Sequence, residues 1–405
     1  MLPTDLYTAV SAVPGAQPDT VPEPVWGAGT ASEPAADLLA GLLAQARQER
    51  RLLSVHWELT HRCNERCRHC FLPVSGPHDR AAAHAELTTG EALALIDQVA
   101  ALGALSITFS GGEPLLRPDF WTLAAHTRLR RLGLRLYTNG TLLAAPEHAG
   151  WIAALADLHP LAVEISLYAA TPAVHNAITG VTGSWAATVG ALVGLHAAGV
   201  RTVCKTPLMR ANAAELRAVR TLAGVLGARF QPDLLITAGI GPTCAERRAP
   251  LAERMTSTQL ATTLRTLAEG SSAGSPDSNT GGNTDDSPAG PQLCSIGRSA
   301  LAVDPEGTVF PCVEVRRSLG SIRHTSLAAI WHDTGAWAPY LRLSAPASRG
   351  LAASLPAGLP TGLPTGLSAL PVCRTCRLGP WCIRCHGAAA NETGDLYGPS
   401  PAPGG

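Results

Sequence analysis

The feature that most limits the fold of this chain is an alternation. Six short apolar runs stand out: Leu53–Leu59, Leu105–Phe109, Gly133–Tyr137, Leu161–Leu167, Val200–Thr206 and Ala228–Ile236. Segments with helical periodicity separate them: Thr88–Leu102, Asp119–Leu132, Pro146–Leu158, Ser184–Ala198 and Ala213–Leu226. A parallel strand return needs a crossover, and a helix of this length supplies one. The alternation therefore predicts an α/β fold, a partial (β/α)6 TIM-like barrel rather than a full eight-unit one. Chemistry on such a barrel sits on the loops that follow the strands' carboxyl ends.

The remaining segments fall around the predicted barrel, which spans residues 51–269. Residues 1–50 are expected to be a flexible arm, rich in Pro, Ala and Gly, ending in a short amphipathic helix at Ala36–Arg51. A further helix is expected at Ser257–Glu269, and residues 270–291 read as a low-complexity linker. A cysteine-rich region follows at 292–398, with the imperfect repeat Gly350–Leu370 as an irregular insertion and 399–405 as a tail.

The chain carries 31 basic and 31 acidic residues in 405. This balance gives no reason to expect nucleic acid or an anionic membrane as partner. The most apolar window, Ala186–Val200, is too short to span a bilayer and contains His196. The first ten residues lack the pattern of a secretory signal. Eleven cysteines, odd in number and clustered, argue for metal ligation in a reducing cytoplasm rather than for disulfides.

The densest chemistry follows the first strand: Cys63, Cys67 and Cys70, spaced C-x3-C-x2-C. Structural zinc takes four ligands, so a zinc site here would need His61 or His69 as the fourth. Three thiolates instead fit a cubane iron–sulfur cluster with one iron left open for a small molecule. After the second strand comes Ser110-Gly111-Gly112-Glu113-Pro114, where glycines permit close backbone approach and Pro114 stiffens the turn. Asn139, Ser166 and Lys205 fall at the ends of strands three, four and five, so a barrel places them on one face. Lys205 is the only lysine in the chain. Cys204 reads as a small buried residue, whereas Cys244 is open to either a buried or a ligating use.

Together these elements resemble the radical S-adenosylmethionine (SAM) superfamily. The resemblance implies that Cys63, Cys67 and Cys70 hold a [4Fe-4S] cluster whose open iron docks SAM. It implies that Gly111, Gly112, Glu113 and Pro114 hold the methionine amino group, with Glu113 accepting from the ammonium. It further implies that Asn139, Ser166 and Lys205 contribute to the SAM site, and that His69 takes the place of the usual aromatic. The segment His175-Asn176-Ala177-Ile178-Thr179-Gly180-Val181-Thr182-Gly183-Ser184-Trp185 is similar to one common in peptide-modifying members; Ser184 is also expected to cap a helix.

The later cysteines resemble a SPASM domain, which holds one or two auxiliary iron–sulfur clusters. The family would use Cys294, Cys312 and Cys385 toward one cluster and Cys373, Cys376 and Cys382 toward a second. The usual seventh cysteine, after a segment like Gly394-Asp395, is not in the sequence. Asp395, His386, an exogenous ligand or an open iron are the candidate substitutes, and a degraded or incomplete SPASM domain is the alternative.

The implied activity is reductive cleavage of SAM to a 5′-deoxyadenosyl radical, which abstracts hydrogen from a ribosomally made precursor peptide to install a crosslink, thioether or epimerised residue. The alternatives are maturation of a small cofactor or protein side chain, and a non-catalytic iron–sulfur or zinc scaffold. A ferredoxin or flavodoxin reductant is implied, and a separate peptide-recognition protein is an option because residues 1–50 are too short for such a domain.

Overall fold

The computed structural model describes residues 33–241, 243–269, 296–343 and 385–396. The expected arm at 1–32, the linker at 270–291, the repeat at 350–370 and the tail lie outside them, as do Cys294, Cys373, Cys376 and Cys382.

The six expected strands form: β1 (Ser54–Thr60), β2 (Ser106–Gly111), β3 (Gly133–Thr138), β4 (Ala162–Ser166), β5 (Thr202–Pro207) and β6 (Arg229–Asp233). They pair in parallel, each with the next in sequence. Pro232 lacks an N–H to donate, and β6 is accordingly the edge strand. The sheet does not stop at β1. The chain returns from the cysteine-rich region to add β7 (Ala300–Val303) parallel to β1, with Ser54 opposite Ala300 and Trp57 opposite Val303. Two short antiparallel strands, β8 (Thr308–Phe310) and β9 (Gly320–Ser321), complete the order β6-β5-β4-β3-β2-β1-β7-β8-β9. The two regions thus share one sheet.

The helices in chain order are α1 (Glu33–Gln48), α2 (Arg80–Ala85), α3 (Thr89–Ala101), α4 (Phe120–Leu129), α5 (Trp151–Asp157), α6 (Pro172–Thr179) and α7 (Ser184–Ala197). After them come α8 (Leu216–Val225), α9 (Cys244–Arg248), α10 (Ser257–Glu269), α11 (Leu327–His332), α12 (Thr334–Leu343) and α13 (His386–Thr393). Local chemistry sets their starts. Thr88 and Glu91 form a reciprocal capping box at α3. The expected helix over Pro146–Leu158 is broken: a 3₁₀ turn ends at Ala149, and Gly150 at φ +97° starts α5 afresh. The expected Ser184 cap is also corrected: Gly183 is the cap, and the Ser184 hydroxyl is turned to a buried carboxylate instead.

The main core lies between the sheet and its helices, where Trp57, Phe109 and Phe120 stack edge to face. The opposite pleat carries polar side chains, among them Glu58, Thr108, Glu164 and Lys205. On β3 the alternation is explicit: Leu134, Leu136 and Thr138 are buried, while Gly133, Arg135 and Tyr137 are half-buried. Arg135 and Lys205 both reach Glu164, at 3.2 and 3.4 Å, and the Lys205 ammonium lies 5.3 Å from the Tyr137 ring.

The cysteine-rich region is fastened to the barrel by charge as well as by β7. Arg316 grips Glu58 of β1 through both amino groups, and His61 bonds the same carboxylate at 3.0 Å. At the other end Arg50 lies over the touching rings of Trp331 and Trp337 and donates to the Trp331 carbonyl at 2.7 Å. Among the described residues no single helix is long and apolar enough to cross a membrane.

Candidate active site

The loop leaving β1 carries Cys63, Cys67 and Cys70, and only an isolated bridge between Arg62 and Ser75 gives it regular pairing. Other parts of the chain hold it. Arg66 N–H donates to the Thr179 carbonyl at 2.9 Å and Arg68 N–H to the Ile178 carbonyl at 3.0 Å, docking the loop on the end of α6. Ile240 N–H closes its far side on the Phe71 carbonyl at 2.8 Å.

The Gly111–Pro114 turn lies directly beneath this loop. Gly112 N–H bonds the Thr60 carbonyl and Glu113 N–H the Arg62 carbonyl, at 2.7 and 2.9 Å. A β-carbon on Gly111, itself at φ +122°, would meet the Thr60 carbonyl oxygen at 2.3 Å. The glycines are therefore required for the approach of two loops of the same chain.

Glu113 is wholly buried, and its carboxylate is occupied from within the protein. It accepts from the Thr138 hydroxyl at 2.8 and 2.9 Å, from Asn139 N–H at 2.9 Å and from Leu115 N–H at 3.1 Å. Burial pushes its pKa up to about 7 despite these donors. Its side chain thus ties the β2 loop to the β3 loop. Asn139 extends the tie: its amide donates to Asn64 in the cysteine loop at 2.7 Å.

Ser166 lies at the end of β4 opposite Lys205 of β5. The nearby Tyr168 phenol receives the Cys67 thiol at 3.5 Å. His69 packs its ring edge-on to Tyr168 at 4.8 Å. Burial holds the imidazole down to about 4, so it is neutral, and its Nδ1 is buried without a partner. Lys205 belongs to this face, but its ammonium is paired with Glu164.

Several features fit a cluster with a bound small molecule. The donor set is three thiols on one loop, and burial pushes all three up, Cys63 to about 12. Among the described residues no three His, Cys, Asp or Glu side chains converge on a single ion. The unpartnered His69 nitrogen beside the thiols offers a polar contact to a ligand.

Of the auxiliary cysteines, Cys312 and Cys385 are described, both half-buried. The segments that carry them touch: a β-carbon on Gly387 would stand 2.2 Å from that of Glu314. Asn391 donates to the Glu314 carbonyl at 2.7 Å. Cys385 caps α13, its sulfur accepting from Ala388 N–H at 3.4 Å. His386, one candidate substitute ligand, is buried with Nδ1 bonded to the Leu396 carbonyl at 3.2 Å. Cys204 is fully buried on β5, and Cys244 is exposed on α9.

Two site residues carried no recognisable motif. Glu65, between Cys63 and Cys67, is buried and bonds Ser184; Glu58 on β1 is buried and bonds Arg316. The available signal was a carboxylate placed inside a ligand loop or an apolar strand, where an unpaired charge is costly.

A barrel of this topology, with three thiols over a glycine turn, defines a radical SAM protein, and the chain belongs to that superfamily. The radical SAM superfamily description matches residues 57–222, and the SPASM iron–sulfur cluster-binding description matches 294–349. The chain is 34% identical over 263 residues to mycofactocin maturase MftC of Mycobacterium tuberculosis, covering 63% of each chain. The chain thus spans less than two thirds of that relative's length. It is 32% identical over 286 residues to PqqA peptide cyclase of Gluconobacter oxydans, covering 69% of this chain and 76% of the relative. Among solved structures, Streptococcus suis SuiB bound to S-adenosylmethionine has the same fold, with a TM-score of 0.60 and 13% identity over 91% of this chain and 81% of that one.

Proposed function

We propose that this chain is a radical SAM/SPASM maturase acting on a ribosomally made precursor peptide. The observation that carries the reading is the backbone contact between the Cys63–Cys70 loop and the Gly111–Gly112 turn, which puts three thiols and the Gly111–Pro114 turn in one place. When bound, a reduced [4Fe-4S] cluster supplies the electron that splits SAM into methionine and a 5′-deoxyadenosyl radical.

The chain's own residues do the rest. Cys63, Cys67 and Cys70 hold the cluster. Gly111, Gly112, Glu113 and Pro114 hold the methionine amino group of SAM, and Asn139 ties their turn to the cysteine loop. Ser166 and Lys205 face the ribose and carboxylate, and His69 contributes to the same SAM site with its unpartnered Nδ1. The half-buried interior residues Arg135, Tyr137 and Lys205 line the approach to the barrel. They keep the target carbon close to the radical and stray hydrogen donors away. Cys312, Cys385 and Cys294 hold an auxiliary cluster, and Cys373, Cys376 and Cys382 a second.

The peptide class is supported by three relatives and neighbours. Mycofactocin maturase and PqqA peptide cyclase are similar in sequence, and SuiB, similar in fold, has been solved bound to its precursor peptide SuiA. A crosslink, thioether or epimerisation is the proposed product. A ferredoxin or flavodoxin in a reducing cytoplasm is the proposed electron source. A second reading, maturation of a small cofactor, is favoured by 34% identity over 188 residues to the AdoMet-dependent heme synthase of Methanosarcina barkeri.

The deciding experiment is anaerobic reconstitution with iron and sulfide, then dithionite and SAM. We expect 5′-deoxyadenosine, lost when Cys63, Cys67 and Cys70 become Ala. Zinc binding with no SAM cleavage would overturn the enzyme reading. Incubation with candidate peptides in deuterated water, followed by mass spectrometry, separates peptide from cofactor substrates and also detects epimerisation.

A further inference from the structure

We propose that Glu65, Ser184 and His175 form a buried clamp that positions the cysteine loop for its cluster. This rests on the reading that Cys63, Cys67 and Cys70 hold that cluster.

Three hydrogen bonds run in one direction. Tyr168 N–H donates to His175 Nδ1 at 3.2 Å, so the imidazole proton sits on Nε2. Nε2 lies 3.2 Å from the Ser184 oxygen and donates to it. The Ser184 hydroxyl then donates to Glu65 Oε1 at 2.5 Å. The other oxygen of Glu65 lies 3.6 Å from the Cys67 sulfur. All three clamp residues are 2% exposed or less.

Burying a carboxylate is unfavourable, and an apolar side chain would fill this place more cheaply. What the carboxylate adds is direction: it accepts a specific hydroxyl from a rigid helix. The segment His175–Trp185 is built to present that hydroxyl. Gly180 at φ +69° ends α6, Gly183 at φ +85° begins α7, and the Asn176 side chain accepts from Trp185 N–H at 2.9 Å. The same segment takes the two backbone bonds from Arg66 and Arg68. Loop and segment therefore meet at three points, two of backbone and one of side chain. A loop of irregular backbone gains its sulfur spacing from such contacts before any iron binds.

Glu65 is thus a positioning residue, acting through Cys63 and Cys67. The test uses the full chain, reconstituted anaerobically as wild type, Glu65→Gln, Glu65→Ala, Ser184→Ala and Glu65→Ala/Ser184→Ala. Iron and sulfide are counted, and EPR of the dithionite-reduced protein is recorded with and without SAM. The SAM-responsive signal reports the first cluster, and the unresponsive signal reports the auxiliary ones.

We expect Glu65→Ala and Ser184→Ala each to lose at least half of the SAM-responsive signal while the auxiliary signal is kept. Glu65→Gln should retain most of it, because its amide oxygen still accepts from Ser184. The double variant should be no worse than either single one. A wild-type SAM-responsive signal in Glu65→Ala and Ser184→Ala would overturn the clamp, as would equal loss of the auxiliary signal or additive losses in the double variant. A wild-type protein with no SAM-responsive cluster would overturn the enzyme reading itself, and the clamp with it.

Discussion

A β-carbon on Gly112 would stand 2.3 Å from the carbonyl oxygen of Arg62. Two motifs about fifty residues apart in sequence are thereby one structural unit: the glycine turn is the floor of the cysteine loop. Backbone atoms block the position on the far side, so no side-chain adjustment relieves a substitution.

Gly112→Ala should therefore force the loops apart and lower iron bound per chain several-fold on reconstitution. Gly90→Ala is the control. Gly90 lies in α3 with nothing within 4 Å of an added β-carbon. There alanine should be neutral or stabilising by about 0.5–1 kcal/mol. Equal iron content in Gly112→Ala and wild type would show that the contact is dispensable.

The Glu58–Arg316 pair joins β1 to the cysteine-rich region. Burial alone would raise the Glu58 pKa, but bonds from His61 and Arg316 outweigh it and hold it at about 2. Arg316→Met leaves this charge buried with His61 as its remaining partner, and should cost about 3–5 kcal/mol by denaturant unfolding. Glu58→Gln/Arg316→Met should cost less than the sum of the single changes. Additive costs would mean the two groups are not coupled.

Lys205 is proposed to face SAM, yet its ammonium lies 3.4 Å from Glu164. If it serves SAM directly, Lys205→Met should weaken SAM binding about tenfold, roughly the 1.4 kcal/mol of one charge-assisted hydrogen bond. Glu164→Gln in the same chain should not restore it. Full restoration, read by calorimetry, would show that Lys205 only neutralises Glu164.

His175 sets a pH dependence in the apoprotein. Burial holds it at about 4, against 6.5 when unfolded. As pH falls through that window, the unfolded chain takes up the proton and the folded chain does not. The contribution is complete above pH 6.5 and lost as pH drops toward 4. Relative to His175→Gln, wild type should lose about 3 kcal/mol across the window. Parallel urea-unfolding curves for the two proteins from pH 7 to 4 would contradict this.

The six strands were legible because alternating apolar periodicity is local information, and their observed bounds lie close to those read from the sequence. The helix α6 was not. No helix was expected over Pro172–Thr179, because Gly180 and Gly183 follow it closely and its apolar residues are too few to show a period. The cysteine spacing, the glycine turn and Ser166 were visible as residue types at strand ends. Their partners were not, because Glu65 meets Ser184 across 119 residues and Glu58 meets Arg316 across 258.

The sequence by itself determined the βαβ repeat, the three-thiol spacing and the family, all of which depend on residues near one another along the chain. Only the tertiary structure decided what those residues touch. It turned Glu113 inward as a loop tie, paired Lys205 with Glu164, and brought β7 back to β1. The physical reason is burial. Once a carboxylate or an ammonium leaves water, it must take whatever donor or acceptor the fold brings within about 3 Å. That partner is chosen by packing between distant segments, which no local pattern records.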